Sequence, residues 1–411
     1  MGQQNYSHKQ KPSLVLSGGG IKAAAFHIGV CLALREKGFR FAGGSKVHVQ
    51  DQYSEDALTF KNYVGSSAGS VICTFLAAGY SIESIVEAFA LGAAGLTDVS
   101  RRRNKNQREP NIKLKPLNYK DIFGLNIDAS LATRLMPNFF KKKPLISGGF
   151  EVLLKQGFKV NGLFNMKNLE RYMRENVLDD NHFKSLGVNL NIVATQLNHS
   201  RKVVFGPFDQ TTKTKDIKYA SYATISEAVA ASASLPPAFA PYGIKNEKNK
   251  TIFFFDGEIR DTLSTHVASD AGSDLVISSY SIQPYHFNKE IGSLHEYGIP
   301  AIFNQALYQL VQQKIDKHID HQKRINSLIN TVNGYLKEIQ LPQDQREKLM
   351  DILIERTQHQ KDVDYIYIHP SPQDYKMFFY DHFSLNPVVL EQIVRTGFKA
   401  AMTTLRKIKF Q

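Results

Sequence analysis

Three short stretches of the 411-residue chain carry residue types that could move a proton and hold a developing charge. The first is Gly65-Ser66-Ser67-Ala68-Gly69, in which one serine stands midway between two glycines. A serine on a sharp strand-to-helix turn needs small residues two positions to either side, because larger side chains there would strike the strand or the helix. Such a turn lifts the hydroxyl clear of the backbone at a helix N-terminus, where N–H groups favour negative charge. The second is Ser17-Gly18-Gly19-Gly20-Ile21-Lys22. Three successive glycines let backbone amides converge on an anion, as an oxyanion hole or as a phosphate cradle. The spacing departs from G-x-x-x-x-G-K-[ST]. A G-x-G-x-x-G pattern begun at Gly18 meets Ala23 at its third place, a tolerated exchange, so the dinucleotide alternative stays open. The third is Asp256-Gly257, after a run of phenylalanines. A carboxylate at a strand end can take the proton of a serine, although the same pair also makes an ordinary turn.

These residues must be positioned by regular elements, and the pattern is α/β. Ser13 to Ser17 reads as a strand that ends in the glycines, and Ile21 to Lys37 as a helix closed by Gly38. Asn62-Tyr63-Val64 reads as a second strand, and Ser70 to Ala78 as the helix after Gly69. Two strand–glycine turn–helix units thus stand close together. Further on come a helix over Asn165–Val177 and strands over Asn189–Ala194 and Lys202–Phe205. An alanine-rich helix over Ser226–Ser234 is stopped by Leu235-Pro236-Pro237, and strands follow over Ile252–Phe255 and Asp274–Ser278. Leu307, Val311, Ile315 and Ile319, then Leu328, Val332, Leu336 and Ile339, recur at helical spacing. After Leu341-Pro342 the pattern predicts a helix over Asp344–Gln358, a strand over Val363–Ile368 and a last helix over Pro387–Ile408.

Composition narrows the setting. With 42% hydrophobic and 22% charged residues the chain has ample material for a core. No stretch reaches the ~20 uninterrupted apolar residues of a membrane-spanning helix. The start is polar and lacks the apolar centre of a secretory signal, and Tyr6 stands where a myristoylation motif wants Ser or Thr. The expectation is a cytoplasmic or peripheral membrane protein, with a non-classical export route left open. Cys31 and Cys73 read as buried free thiols. No His/Cys/Asp/Glu spacing implies a metal and no cofactor is expected. No histidine follows the order of a Ser-His-Asp triad, although one hidden in the fold stays open.

The formal charge is +13, which suits a polyanionic partner such as nucleic acid, an anionic membrane surface or a charged protein. Eight basic residues against one acidic lie between 101 and 120, beginning with Arg101, Arg102 and Arg103. Phe139 and Phe140 precede Lys141, Lys142 and Lys143. Aromatic residues beside cations suit contact with a membrane interface, and a plain solvated loop is the competing reading. No aromatic–basic recognition module for nucleic acid appears, and no nucleic-acid partner is expected.

Taken together and in this order, the stretches resemble the patatin-like phospholipase family. Leu16 to Lys22 is similar to its glycine-rich oxyanion motif, in which a basic residue follows the glycines. Gly65 to Gly69 resembles its nucleophile elbow. Ala231 to Pro241 is similar to its helix-end proline motif. Asp256-Gly257 resembles its Asp-Gly-Gly/Ala motif, with Glu258 standing in the third place. The resemblance covers roughly residues 12–280 and 362–405. It implies a three-layer α/β/α fold with a mainly parallel central sheet and helical elaborations. The division is then a polar tail over 1–11, one catalytic domain over 12–405 and a tail over 406–411, with a basic insertion at about 97–150 and a helical one at about 290–361.

The chemistry implied is a lipid acyl hydrolase of phospholipase A or lysophospholipase type. Ser67 is its nucleophile and Asp256 its base. The amides of Gly18, Gly19 and Gly20 form the oxyanion hole, and Lys22, Gly65, Gly69 and Gly257 support the motifs. Lys22 would orient the glycine loop or attract a phosphate head group, with a surface lysine as the plainer reading. The expected partners are a phospholipid or lysophospholipid substrate and an anionic membrane surface, with room for an activating protein partner or a homodimer. A lipid-binding protein without activity, or an acyltransferase using the same dyad, are the rival readings.

Overall fold

Ser13-Leu14-Val15-Leu16 shows none of the polar alternation of a half-exposed strand, because the strand it forms is covered on both faces. The computed structural model describes residues 4–52, 58–89, 113–126, 161–199, 201–260, 262–357 and 363–410. Its central sheet has ten strands. They are β1 (Pro12–Leu16), β2 (Asn62–Ser66), β3 (Asn189–Gln196), β4 (Arg201–Phe205), β5 (Thr212–Lys213), β6 (Ile217–Ala220), β7 (Tyr242–Lys245), β8 (Thr251–Asp256), β9 (Leu275–Ser279) and β10 (Asp364–Ile368). Across the sheet they run β5-β6-β4-β3-β2-β1-β9-β10, with β8 joined to β3 and β7 to β8. The central neighbours β3, β2, β1, β9 and β10 are parallel.

Alternate side chains of β1 enter two different cores, as the two-residue period of a strand requires. Leu14 and Leu16 join a large cluster with Phe26 and Ile28 of α1 (Gly20–Glu36), Ile72 and Phe75 of α2 (Ala68–Ala77), and, from a last helix at Pro387–Leu405, Ile393 and Val394. Val15 faces the other way, with Val64, Val193, Val204 and Val276, against Val267 and Ala268 of the short helix Thr265–Asp270. Helices therefore cover both faces of a mainly parallel sheet, the three-layer α/β/α arrangement expected. Two further helices of the first cluster matter for the site, α3 (Lys167–Asn176) and α4 (Ile225–Ser232).

The polar stretch beyond residue 298 forms α5 (Ile299–Glu338) and α6 (Gln343–Thr357), separated at Leu341-Pro342, and the last helix is α7. The apolar spacing of α5 reads as a packed stripe, but Leu307, Leu328 and Ile339 are exposed. Among its described residues Tyr308, Ile315 and Leu336 are buried, so α5 meets the body of the molecule at points rather than along a face. No helix among the described residues is long and apolar enough to cross a membrane. Arg101, Arg102, Arg103, Phe139, Phe140, Lys141, Lys142 and Lys143 lie outside the described residues.

Candidate active site

The turn between β2 and α2 is as tight as its glycines imply. A Cβ on Gly65 would stand 2.5 Å from Ser70 Cα, and one on Gly69 2.1 Å from the Leu16 carbonyl oxygen. Ser67 between them has φ 51° and ψ −124°, a positive φ that a serine rarely adopts. The turn is clasped from α4. The Ser67 amide donates to Ser232 Oγ at 2.7 Å, and that hydroxyl donates to the Val193 carbonyl at 2.5 Å. Sequence reasoning placed Ser232 only in a helix-ending motif. The same segment also holds the aspartate, since the Asp256 amide donates to the Ser234 carbonyl at 3.1 Å.

Strand register brings the two motifs together. Ser66, the last residue of β2, pairs with Val193 of β3, and Asp256, the last of β8, pairs with Ala194. Since β4 occupies the other edge of β3 at both positions, β2 and β8 arrive on one edge from opposite ends and stop at adjacent residues. Gly257 fits this junction because a Cβ there would lie 2.3 Å from the Val193 oxygen. The Asp256 carboxylate accepts the Glu258 amide at 2.9 Å, and the Ser67 hydroxyl near it favours the charged form. Burial raises the Asp256 carboxyl from 3.8 to about 6, against the pull of the Ser67 hydroxyl and the Glu258 amide. A carboxylate so placed is a competent proton acceptor near neutral pH.

The glycine loop borders the same place. Gly19 and Gly20 take φ 131° and 72°, conformations open to glycine. Gly18 is pressed against the elbow, where a Cβ would stand 2.8 Å from Ser67 Cβ and 2.6 Å from Glu258 Cγ. Its amide donates to Glu258 Oε1 at 2.9 Å. The expectation that all three glycine amides face an anion is therefore corrected at Gly18, because a side chain of the chain itself already holds that donor. Among the described residues the Gly19 and Gly20 amides have no backbone acceptor. Lys22 also departs from the head-group reading. It is fully buried, and its ammonium donates to Tyr308 Oη at 2.6 Å and to the Met377 carbonyl at 3.0 Å. His27 is occupied elsewhere, between the Ser17 carbonyl and Ser279 Oγ, both at 2.9 Å.

Ser67 and Gly20 open onto an apolar cleft. Its walls include Val71, Phe89, Met166, Leu169, Phe239 and Phe383. Such a lining removes an acyl chain from water, and Ser67 is the one polar side chain among the residues that line it.

Residues 14–269 match the family model described as patatin-like phospholipase, well over half of the chain. No curated protein matches the chain. Among solved structures the chain is similar to the heterodimeric ExoU–SpcU complex from the type III secretion system of Pseudomonas aeruginosa. The identity is 21% over 56% of this chain and 37% of that one, with a TM-score of 0.22. The chain thus spans little more than a third of the length of that neighbour.

Proposed function

The chain belongs to the patatin-like phospholipase family, and from that premise we propose that it hydrolyses fatty-acyl esters of phospholipids or lysophospholipids through a Ser67–Asp256 dyad. The observation that carries the reading is the meeting of Ser67 and Asp256, where β2 and β8 stop at adjacent residues of β3, beside an apolar cleft that Ser67 lines. The Ser67 oxygen attacks the ester carbonyl carbon as its proton passes to Asp256. The amides of Gly19 and Gly20 hold the negative oxygen that forms. The carbon–oxygen bond to the alcohol then breaks, with the proton returned by Asp256 to the leaving oxygen. Water, deprotonated by the same carboxylate, releases the fatty acid and restores the serine. The strand β10 and the helix α7 belong to the same sheet and core, which supports residues 12–405 as one catalytic unit.

A formal charge of +13 supports docking on an anionic lipid surface, where each basic residue adjacent to the surface contributes ~1 kcal/mol. The test uses the full chain with phosphatidylcholine vesicles, with and without phosphatidylglycerol, and with lysophosphatidylcholine. Fatty acid is measured by mass. Release that is raised by the anionic lipid, lowered by salt and absent in Ser67→Ala is the expected result. No release from any of these lipids, or release untouched by S67A, would overturn the reading.

A further inference from the structure

Two residues that hold the glycine loop in shape come from outside the segment that the family model matches. The Lys22 ammonium donates to Tyr308 Oη at 2.6 Å, Tyr308 Oη lies 2.8 Å from His382 Nε2, and His382 Nδ1 lies 3.1 Å from the Gly19 carbonyl oxygen. Tyr308 belongs to α5 and His382 to the stretch before α7, whereas the match ends at residue 269.

The chemistry of the groups fixes where each proton sits. A carbonyl oxygen only accepts, so His382 carries its hydrogen on Nδ1 and donates to Gly19. Burial, together with the nearby Lys22 charge, lowers the His382 imidazole from 6.5 to about 3, so the ring is neutral and Nε2 is a bare acceptor. Tyr308 Oη–H must then be its donor. Burial raises the phenol, which keeps that hydrogen, and its oxygen is left to accept from Lys22. Lys22 is itself lowered from 10.5 to about 7 by burial, against the attraction of Asp381. The chain of bonds is directional, Lys22 to Tyr308 to His382 to Gly19.

Its end point matters because a peptide unit is planar and trans. With the Gly19 oxygen held toward His382, the Gly20 N–H points the opposite way. Gly20 lines the cleft that also contains Ser67. We propose that Tyr308 and His382 are positioning residues for acyl transfer, which lock the Gly19–Gly20 peptide so that the Gly20 amide faces the oxyanion formed at Ser67. This rests on the hydrolytic reading of the site. A second tie acts in the same sense, since the His382 carbonyl accepts the Lys22 amide at 3.3 Å and would stand 2.5 Å from any Cβ on Gly20.

The test compares Tyr308→Phe, His382→Ala and His382→Asn in the full chain, using p-nitrophenyl butyrate as substrate. Misaiming an oxyanion donor lowers turnover without weakening ground-state binding, so kcat should fall about 10-fold in Y308F and about 100-fold in H382A, with KM within about threefold. In H382N the amide nitrogen can stand where Nδ1 stood and still donate to Gly19, so most of the rate should return. A kcat unchanged in both Y308F and H382A, or H382N no better than H382A, would overturn the assignment. Selective ¹⁵N-histidine and ¹⁵N-glycine spectra read the same geometry without turnover. The expected result is a neutral His382 protonated on Nδ1 from pH 5 to 8, with a Gly20 amide that shifts in Y308F. A titrating or Nε2-protonated ring, or a Gly20 amide indifferent to Y308F, would also overturn it. A wild-type chain that hydrolyses nothing sinks the hydrolase reading instead, and the spectra still decide the hydrogen-bond chain.

Discussion

The helices α1 and α5 meet their surroundings in opposite ways. In α1 every residue from Ile21 to Leu34 is buried, so the helix has no polar face. In α5, more than twice as long, the buried residues are Tyr308, Ile315 and Leu336, and Tyr335 and Ile302 point outward. α1 is held by burial around its whole circumference. α5 is anchored at a few contacts, one of which, Tyr308, is tied to the loop from which α1 begins. Packing density and closeness to the chemistry are thus separate properties. A mostly solvated helix can reach the glycine loop through one side chain.

The sharpest break in the comparison lies at the site that α1 begins. Ser67→Ala removes the nucleophile, and kcat on any ester substrate should fall by about 10⁴ or more, as happens when one member of a catalytic unit is lost. Residual activity within tenfold of wild type would show that Ser67 does not carry the chemistry.

The two helices should also differ under truncation of a large side chain. Phe26→Ala empties a fully buried site in the large core cluster, and denaturant unfolding should register a loss of about 3–5 kcal/mol. Leu328→Ala on α5, where the side chain is 48% exposed, should change stability by about 0.5 kcal/mol or less. Equal losses would mean that α5 is covered by something that the exposed surface does not reveal.

What could be read from the sequence, and what could not, follows the same divide. Ser67 and Asp256 were visible because their constraints are local: a turn that only small neighbours permit, and a strand that must end in a carboxylate and a glycine. The short apolar runs of β1 and β9 likewise read as strands of an α/β pattern. Ser232, Tyr308 and His382 carried no such mark, since their partners are chosen by tertiary packing. Tyr308 sat unremarked beside Leu307, whose spacing reads only as an apolar stripe. Lys22 was ambiguous for a related reason. Whether a lysine at a helix start is solvated or buried depends on what covers it, and the cover comes from α5 and from the stretch around Met377.

Asp256 links stability to activity with opposite signs. Its carboxyl, raised from 3.8 to about 6, keeps a proton in the folded chain that the unfolded chain releases across that window. The stabilisation from this group is therefore complete below 3.8 and is lost as pH rises to about 6. Above that, at 1.36 kcal/mol per pH unit, the buried charge costs about 3 kcal/mol. Turnover needs the charged form, so kcat/KM should climb through pH 6 as stability declines. Asp256→Asn should lose activity at every pH and melt at or above the wild-type temperature at pH 7, with no such advantage at pH 4. A D256N protein less stable than wild type at pH 7 would show that the carboxylate is stabilising in the fold.

Glu258 gives the smallest and most discriminating effect. It stands where the family pattern has Gly or Ala, and its carboxylate already accepts the Gly18 amide at 2.9 Å. A negative group there disfavours a second negative charge on the oxyanion and withholds one donor from it. Glu258→Ala frees the amide beside Ser67, so kcat should rise about tenfold, equivalent to about 1.4 kcal/mol of transition-state stabilisation. The gain should appear in kcat rather than KM, because the ester in its ground state carries no charge for the amide to meet. If E258A instead loses activity in proportion to its loss of stability, Glu258 is a strut for the loop. The glycine loop would then be held from both ends, by Glu258 at Gly18 and by His382 at Gly19.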